Sequence, residues 1–275
     1  MATAKDIHVA PISQRDAAAL VKRIHYSGKS AINANLHFGV FLDGKLEGAM
    51  QFGSSLQKDS TIKMVSATNW NNFLELNRMA FSDKLPRNSE SRALGVAFRL
   101  IRKHYPHIEW VVSFADGTQC GDGTIYRASG FVLTACKANS TMHVMPDGIV
   151  FADVGLRASS SKLREKIGYK LGEPFSKFKA RTGAKRIEGF QLRYIYFLNP
   201  AARERLTMPI LPFSKIEEMG AGMYKGKKIT RVKQAMTGVQ PEQRRSDTDP
   251  PAPFTSNIIP SKQIVNTLIQ MEKAA

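Results

Sequence analysis

Asp116 ends the apolar run Trp110-Val111-Val112-Ser113-Phe114-Ala115 and opens a glycine-rich loop, Gly117-Thr118-Gln119-Cys120-Gly121-Asp122-Gly123. A carboxylate there can serve as general base or metal ligand, because a strand end holds it rigidly while the loop admits substrate. An Asp in such a place also forms turns and helix caps, and Asp122, just before the next helix, suits the cap. Arg78 interrupts an apolar segment, where a guanidinium belongs if it meets an anion, either that of a ligand or that of Glu75. His25 and Tyr26, at a helix end before Gly28, offer a proton shuttle with a phenol, or two metal ligands, or a structural pair. Tyr126, on a short helix facing the Asp116 loop, is either a general acid or a core residue.

Two further groups suit anions. The segment Arg87-Asn88-Ser89-Glu90-Ser91-Arg92 starts a helix whose free N–H groups and positive dipole end can seat a pyrophosphate, with Arg87, Asn88, Ser89, Ser91 and Arg92 as its contacts. Lys179, Arg181, Lys185, Arg186 and Arg193, interleaved with Phe190, Tyr194 and Tyr196, mix cations and aromatics as a nucleic-acid surface does; the same pattern also fits a strand flanked by solvated charges.

These residues need elements to hold them. Ala17, Leu20, Val21 and Ile24 follow helical spacing and predict a first helix ending near His25. Residues 37–42 and 46–53 are short apolar runs joined across Asp43-Gly44, a hairpin pair. Residues 73–81 read as a strand with apolar side chains at 73, 79 and 81 and Asn77 as an interruption. Ala93, Leu94, Ala97, Phe98, Leu100 and Ile101 predict a helix over 89–105, and residues 110–115 a strand buried on both faces. A short helix at 123–129 stops at Gly130 before a strand at 131–133; residues 148–152 and 190–197 are further strands. The alternation predicts an α/β (α+β) fold with a central mixed sheet flanked by helices, its ligands at the strand ends. A basic, weakly periodic insert at about 158–190 belongs to a domain spanning 1–225, followed by a flexible tail, 226–275, with a short terminal helix through Ile264, Leu268 and Met271.

The chain of 275 residues carries a formal charge of +17, of which 18 Lys/Arg against 6 Asp/Glu lie between Ala158 and Gln234. Such a surplus attracts polyanions, so nucleic acid is the expected partner. No apolar stretch is long enough to span a membrane, and the charged N-terminus is unlike a secretory signal, so a cytoplasmic location is expected. Cys120 and Cys136 match no metal-knuckle spacing and read as incidental thiols.

The segment Ile125-Tyr126-Arg127-Ala128-Ser129-Gly130-Phe131 resembles the Tyr-x-x-x-Gly-Phe ending of GNAT acetyltransferases. A fuller set resembles the Mom proteins of Mu-like phages: His25-Tyr26-Ser27, Leu74-Glu75-Leu76-Asn77-Arg78, Pro86-Arg87-Asn88-Ser89-Glu90-Ser91, Ser113-Phe114-Ala115-Asp116, Gly123-Thr124-Ile125-Tyr126, residues 191–197 and Leu211-Pro212-Phe213-Ser214. The resemblance covers about residues 11–225. It implies GNAT architecture and an enzyme that converts adenine in double-stranded DNA to a carbamoylmethyl derivative at the exocyclic amine, blocking host restriction. It places His25, Tyr26, Arg78, Asp116 and Tyr126 around the reaction centre. It also implies acetyl-CoA and iron as cofactors, the iron within reach of His25, Tyr26 and Asp116. Asn88–Arg92 lacks the glycines of the usual GNAT loop, and acetyl transfer alone does not supply the product's amide nitrogen. Two alternatives remain: a conventional acetyl-CoA-dependent N-acyltransferase and a non-enzymatic nucleic-acid-binding protein. Oligomeric state is open, a homodimer included.

Overall fold

The structure is a computed structural model that describes residues 2–117, 122–138, 142–153, 156, 162–187, 189–221, 223–224 and 227–228. Cys120 and the expected terminal helix through Ile264, Leu268 and Met271 lie outside the described residues. Met1–Ile229 form one compact unit. Among the described residues no helix is long and apolar enough to cross a membrane.

Strand β1 (His8–Pro11) leads into helix α1 (Gln14–Ile24), capped by the Ser13 hydroxyl, which accepts the Asp16 N–H at 3.1 Å. Strands β2 (Ala34–Leu42) and β3 (Lys45–Gly53) form the expected hairpin, with Asp43 and Gly44 both at positive φ in its turn. The helical turn α2 (Lys58–Thr61) precedes β4 (Phe73–Phe81), α3 (Ser89–His104), β5 (Trp110–Asp116), α4 (Thr124–Ala128) and β6 (Val132–Ala138). Then come β7 (Met142–Val144), β8 (Val150–Ala152), α5 (Lys162–Lys166), α6 (Phe175–Thr182), β9 (Lys185–Arg186), β10 (Phe190–Phe197) and α7 (Ser214–Glu218). Seven strands make one sheet in the order β1-β2-β3-β4-β5-β10-β6, antiparallel throughout except for the parallel pair β4 and β5. The fold is thus the expected mixed α/β sheet flanked by helices.

Side-chain alternation assigns each layer to a face of the sheet. Phe98 of α3 packs on Phe52 of β3 and stacks on Tyr196 of β10 at 4.2 Å, so α3 covers the face that Phe52, Leu76, Ser113 and Tyr194 share by register. Helix α1 covers the opposite face through Ala49 and Ala80. On that second face Trp110, stacked on Phe73 at 4.5 Å, centres a cluster with Met64, Val65, Val112 and Ile195. Burying each of these large side chains contributes about 1.5–3 kcal/mol. Residues 110–112 are fully buried, which is why β5 shows an unbroken apolar run instead of alternation. Leu100, counted with the buried stripe of α3, is only half-buried.

The basic insert is more organised than its weak periodicity suggests. Strands β8, β7 and β9 form a second, three-stranded sheet. With α5 and α6 they enclose a separate small core of Phe151, Leu156, Ile167, Phe178 and Ala184. Its elements are too short for a periodic signal, and aromatic contacts such as His143 against Phe175 at 4.7 Å supply what periodicity cannot.

Gly123, before α4, has φ +71°, and a Cβ there would come within 2.6 Å of the Tyr194 ring, whose hydroxyl donates to the Asp122 carbonyl at 2.7 Å. Gly123→Ala combines left-handed strain with overpacking and should destabilise the protein by about 1–3 kcal/mol. Urea unfolding of the two proteins measures this; equal midpoints would show that the loop relaxes freely.

Candidate active site

The site begins with a short ladder. β4 and β5 pair only through Phe73, Leu74 and Glu75 opposite Trp110, Val111 and Val112, although both strands continue. Beyond those rungs the backbone ladder between them stops. The register between β3 and β4 shifts at the same level: Gln51 faces Arg78 and Phe52 faces Leu76, so Asn77 is an extra, bulged residue. The bulge changes which residues share a face. Glu75 and Arg78, three apart and otherwise on opposite faces, both lie on the α1 face, whereas Phe73 and Met79, expected together, are on opposite faces.

On the α1 face, Arg78 donates from Nε to the Lys29 carbonyl at 3.1 Å and from a terminal nitrogen to the Asn77 carbonyl at 2.6 Å. Among the described residues it forms no ion pair with Glu75, so that structural explanation for Arg78 does not hold. Burial raises the Glu75 carboxyl above its ordinary range, against the opposing hydrogen bonds of Ser55 and Asn77 and the charge of Arg78. The buried Asn77 Oδ1 has no hydrogen-bond partner among the described residues, while its Nδ2 donates to the Ser54 carbonyl at 3.3 Å.

His25 caps the end of α1. Its Nδ1 accepts the Ser27 N–H at 3.2 Å and lies 2.8 Å from the Ser27 hydroxyl, which puts the ring proton on Nε2. Burial, followed by the Arg78 charge, lowers its pKa to about 4, so the imidazole is neutral at pH 7. Tyr26 packs its ring against His25 at 4.4 Å and is largely exposed. Asp116 ends β5 on this same face, since Trp110, Val112 and Phe114 belong to the α1-side cluster and alternation carries the pattern to 116.

Tyr126 belongs to the other face. Ser113 Oγ, at the first unpaired position of β5, lies 3.0 Å from the Tyr126 hydroxyl and 3.4 Å from the Leu76 carbonyl. Tyr126 stacks on Tyr194 at 4.8 Å, and burial, then the charge of Asp122, pushes the Tyr194 phenol well above its ordinary range. Tyr126 is therefore separated by the sheet from the other four expected site residues, and its contact with Ser113 lies just beyond the last paired rung of β4 and β5. Asp122, expected as the cap, stands one residue before it: Gly123 is the N-cap, and the Asp122 Oδ1 accepts the Thr124 N–H at 3.1 Å.

At the start of α3 a cleft of about 340 Å³ is lined by Arg87, Asn88 and Ser91 from the expected anion seat, together with Asp83, Glu90 and Thr124. Ser89 does not line it: the residue is fully buried and its hydroxyl donates to the Pro86 carbonyl at 2.6 Å. Arg92 is absent from the lining too; the Asp6 carboxyl of the N-terminal turn is lowered first by its hydrogen bonds to Thr3, with the Arg92 charge a minor contribution.

The expected nucleic-acid residues divide. Lys185 and Arg186 are exposed on β9, and Lys179 lies over the Phe175 ring at 5.6 Å. Arg181 is tied to Glu173 at 2.9 Å and to the Gly168 carbonyl. Arg193 is turned inward, donating to Thr134 and to the Met208 sulfur, and burial lowers its pKa. Both guanidinium groups are thus engaged within the molecule. Ser113 and Gln51 are site residues that the sequence patterns leave unmarked; the signal available is a polar residue inside an otherwise apolar run, which burial then demands be paired. Cys136 is buried, and its thiol is shifted upward by that burial.

The model of the Mom protein family matches residues 6–215. A protein of Escherichia phage Mu named methylcarbamoylase mom is 37% identical over 204 residues, covering 74% of this chain and 80% of its own. Among solved structures, the ribosomal-protein-S18-alanine N-acetyltransferase of Escherichia coli aligns at 11% identity with a TM-score of 0.40, covering 70% of this chain and 94% of its own. An N-acetyltransferase of Staphylococcus aureus Mu50 aligns at 10% identity with a TM-score of 0.39, covering 70% and 99%.

The depressed pKa of His25 links stability to pH. The unfolded imidazole titrates near 6.5 and the folded one near 4, so between those values the unfolded chain binds more protons. The contribution is fully present above the unfolded pKa and is lost as pH falls toward the folded one. His25→Gln should remove this part of the dependence, so that its Tm declines less than that of the wild type on acidification from pH 7 to roughly pH 4. Parallel Tm profiles would show that the imidazole is not desolvated in the folded protein.

Proposed function

The chain belongs to the Mom protein family, and from that premise we propose that it is a DNA-modifying transferase. In this reading it converts adenine in double-stranded DNA to its carbamoylmethyl derivative at the exocyclic amine, a change that protects phage DNA from host restriction. The naming of the phage Mu relative as a methylcarbamoylase supports the transfer. The observation that carries the reading is the neutral His25 beside Arg78, on the face where Asp116 ends β5.

An exocyclic amine is a poor nucleophile and must lose a proton as its new N–C bond forms. Asp116 is the proposed proton acceptor, since a carboxylate at a rigid strand end can lie in hydrogen-bond reach of the amine. The Nε2–H of His25 and the Arg78 guanidinium are donors, suited to hold negative charge that develops on the donor molecule. Tyr126, held by Ser113, has the role in this reading of positioning the reactants from the other face.

The two cofactors implied by the resemblance fare differently. For a pyrophosphate of acetyl-CoA, the α3 cleft presents the carboxylates of Asp83 and Glu90 against the guanidinium of Arg87, and Ser89 is sealed beneath it. These residues do not fit the group, and no step is drawn through it. Iron would be held by His25, Tyr26 and Asp116. Among the described residues no cluster of three His, Cys, Asp or Glu could hold a metal, so such a site depends on the Tyr26 phenol. The imidazole is neutral, but its Nδ1 accepts the Ser27 N–H and its Nε2 carries the proton, so it would ligate through Nε2 only if the ring proton moved to Nδ1; a bound metal would supply open positions for redox or oxygen chemistry.

DNA docks, in this reading, on the exposed Lys185 and Arg186 with Lys179 beside them. Replacing Lys185 and Arg186 by Ala should weaken duplex binding similarly on all sequences and reduce the slope of log K against log salt by about 0.9 for each phosphate no longer neutralised. An unchanged slope would remove the insert from the interface.

Mass spectrometry of nucleosides from bacteria expressing the protein tests the reaction. A deoxyadenosine adduct one NH heavier than acetyl is expected, whereas an acetyl adduct returns the protein to ordinary acyl transfer. Asp116→Ala and Arg78→Ala should each abolish the adduct in folded protein, and Asp116→Ala should also lose any stoichiometric iron of the purified wild type. Unmodified DNA from folded wild type, with fully retained DNA affinity, would favour a binding protein instead.

A further inference from the structure

Ile32 and Leu56 are among the most solvent-exposed large apolar side chains described, at 90% and 79%. Isolated exposed aliphatics are ordinary. These two differ in how their backbone is held. Asn33 and Ser54 are bonded to one another: the Ser54 N–H donates to the Asn33 carbonyl at 3.1 Å, and the Asn33 side chain donates to the Ser54 carbonyl. Ile32 and Leu56 flank that link, one from each loop. On one side, Ala31 is buried and its N–H donates to Gln51 Oε1 at 3.1 Å, with Ser30 on the same side-chain amide. On the other, Ser55 is buried with its hydroxyl 3.0 Å from that of Thr61. A Cβ on Gly53 would collide with the Asn33 backbone, so the loops are as close as glycine permits. The two aliphatic side chains therefore project into water from a braced base.

This base is joined to the site. The loop bearing Ile32 begins at His25 and Tyr26, and Arg78 holds it through the Lys29 carbonyl. The two segments that carry the pair, 25–33 and 54–64, hold exposed Lys29 and Lys63 and also Lys58, over the Trp70 ring at 4.3 Å, against the single acid Asp59. The local charge thus matches a polyanion. Meanwhile His25, Arg78 and Asp116 are half-buried, and the amine of a stacked, paired adenine cannot reach such side chains without leaving the duplex. An extruded base leaves a gap, and rigid apolar side chains are what enter an opened stack.

We propose that Ile32 and Leu56 form a wedge that enters the base stack of duplex DNA and holds open the gap left by an extruded adenine. The inference rests on the DNA-modification reading above. Once its adenine is extruded, the opposing thymine is unstacked and becomes reactive to permanganate, which requires no knowledge of the preferred sequence. The full-length protein should produce hyperreactive thymines on a long duplex. In the double variant Ile32→Ser, Leu56→Ser these should fall at least tenfold while circular dichroism and binding to single-stranded DNA, which has no stack to open, stay unchanged. A wild type that binds duplex DNA without reactive thymines, or a variant that keeps them, overturns the wedge and leaves the DNA reading intact. A wild type that binds neither form of DNA overturns the DNA reading itself, and the wedge with it.

Discussion

The three-rung ladder between β4 and β5 is the constraint on which the rest depends. A parallel pair ordinarily continues as long as both strands do, each residue contributing its share of bonds. Here the bulge at Asn77 turns β4 away after Glu75, and the backbone groups beyond must be satisfied by other means. Ser113 answers part of that demand by bridging between the Leu76 carbonyl and the Tyr126 hydroxyl. The break in the ladder therefore falls in the interior of the sheet, between two strands that are each paired on their other side.

The charge of the molecule is distributed by a similar division of labour. Guanidinium groups are engaged where planar, multidentate geometry is needed: Arg193, turned inward, joins β10 to Thr134 and Met208, half-buried Arg205 meets Glu109 at 2.6 Å, and Arg181, at the surface, braces the insert through Glu173. Much of the surplus left outside is lysine, a compact and well-hydrated charge on a flexible stem. Net charge counted along the sequence consequently overstates how many cations are available to a partner, and it does so most for arginine.

Element types are legible where a pattern runs long enough. The β2–β3 hairpin is carried by Asp43-Gly44, α3 by its buried stripe, and β5 by an apolar run with no alternation. The bulge is not legible. Asn77 shows as an interruption, but only the partner strand reveals that it is one residue too many, and this single residue decides which face Arg78 takes. For the same reason the residue types of the candidate site can be picked out from the sequence while their arrangement cannot. His25, Tyr26, Arg78 and Asp116 share a face, Tyr126 does not, and Ser89, expected as a helix-start donor, is turned into the core. The insert is marked in the sequence by charge alone, because a core of five residues held by aromatic contacts has no period to detect.

The place of β10 in the sheet sets the order in which the molecule can be completed. β5 and β6 are consecutive strands but are not neighbours in the sheet; β10 lies between them, in unbroken register with β5 and with a shift at Arg193/Tyr194 against β6. A chain emerging from the ribosome must therefore carry two open strand edges through the synthesis of the whole insert before the closing strand arrives. Such edges invite wrong partners, and long-range closure is slow. A compact insert with its own small core shortens the distance that β10 must search by drawing its two ends together. The two ends of that segment meet where Phe190 pairs with Ala138, so the sheet closes at the point from which the insert departs.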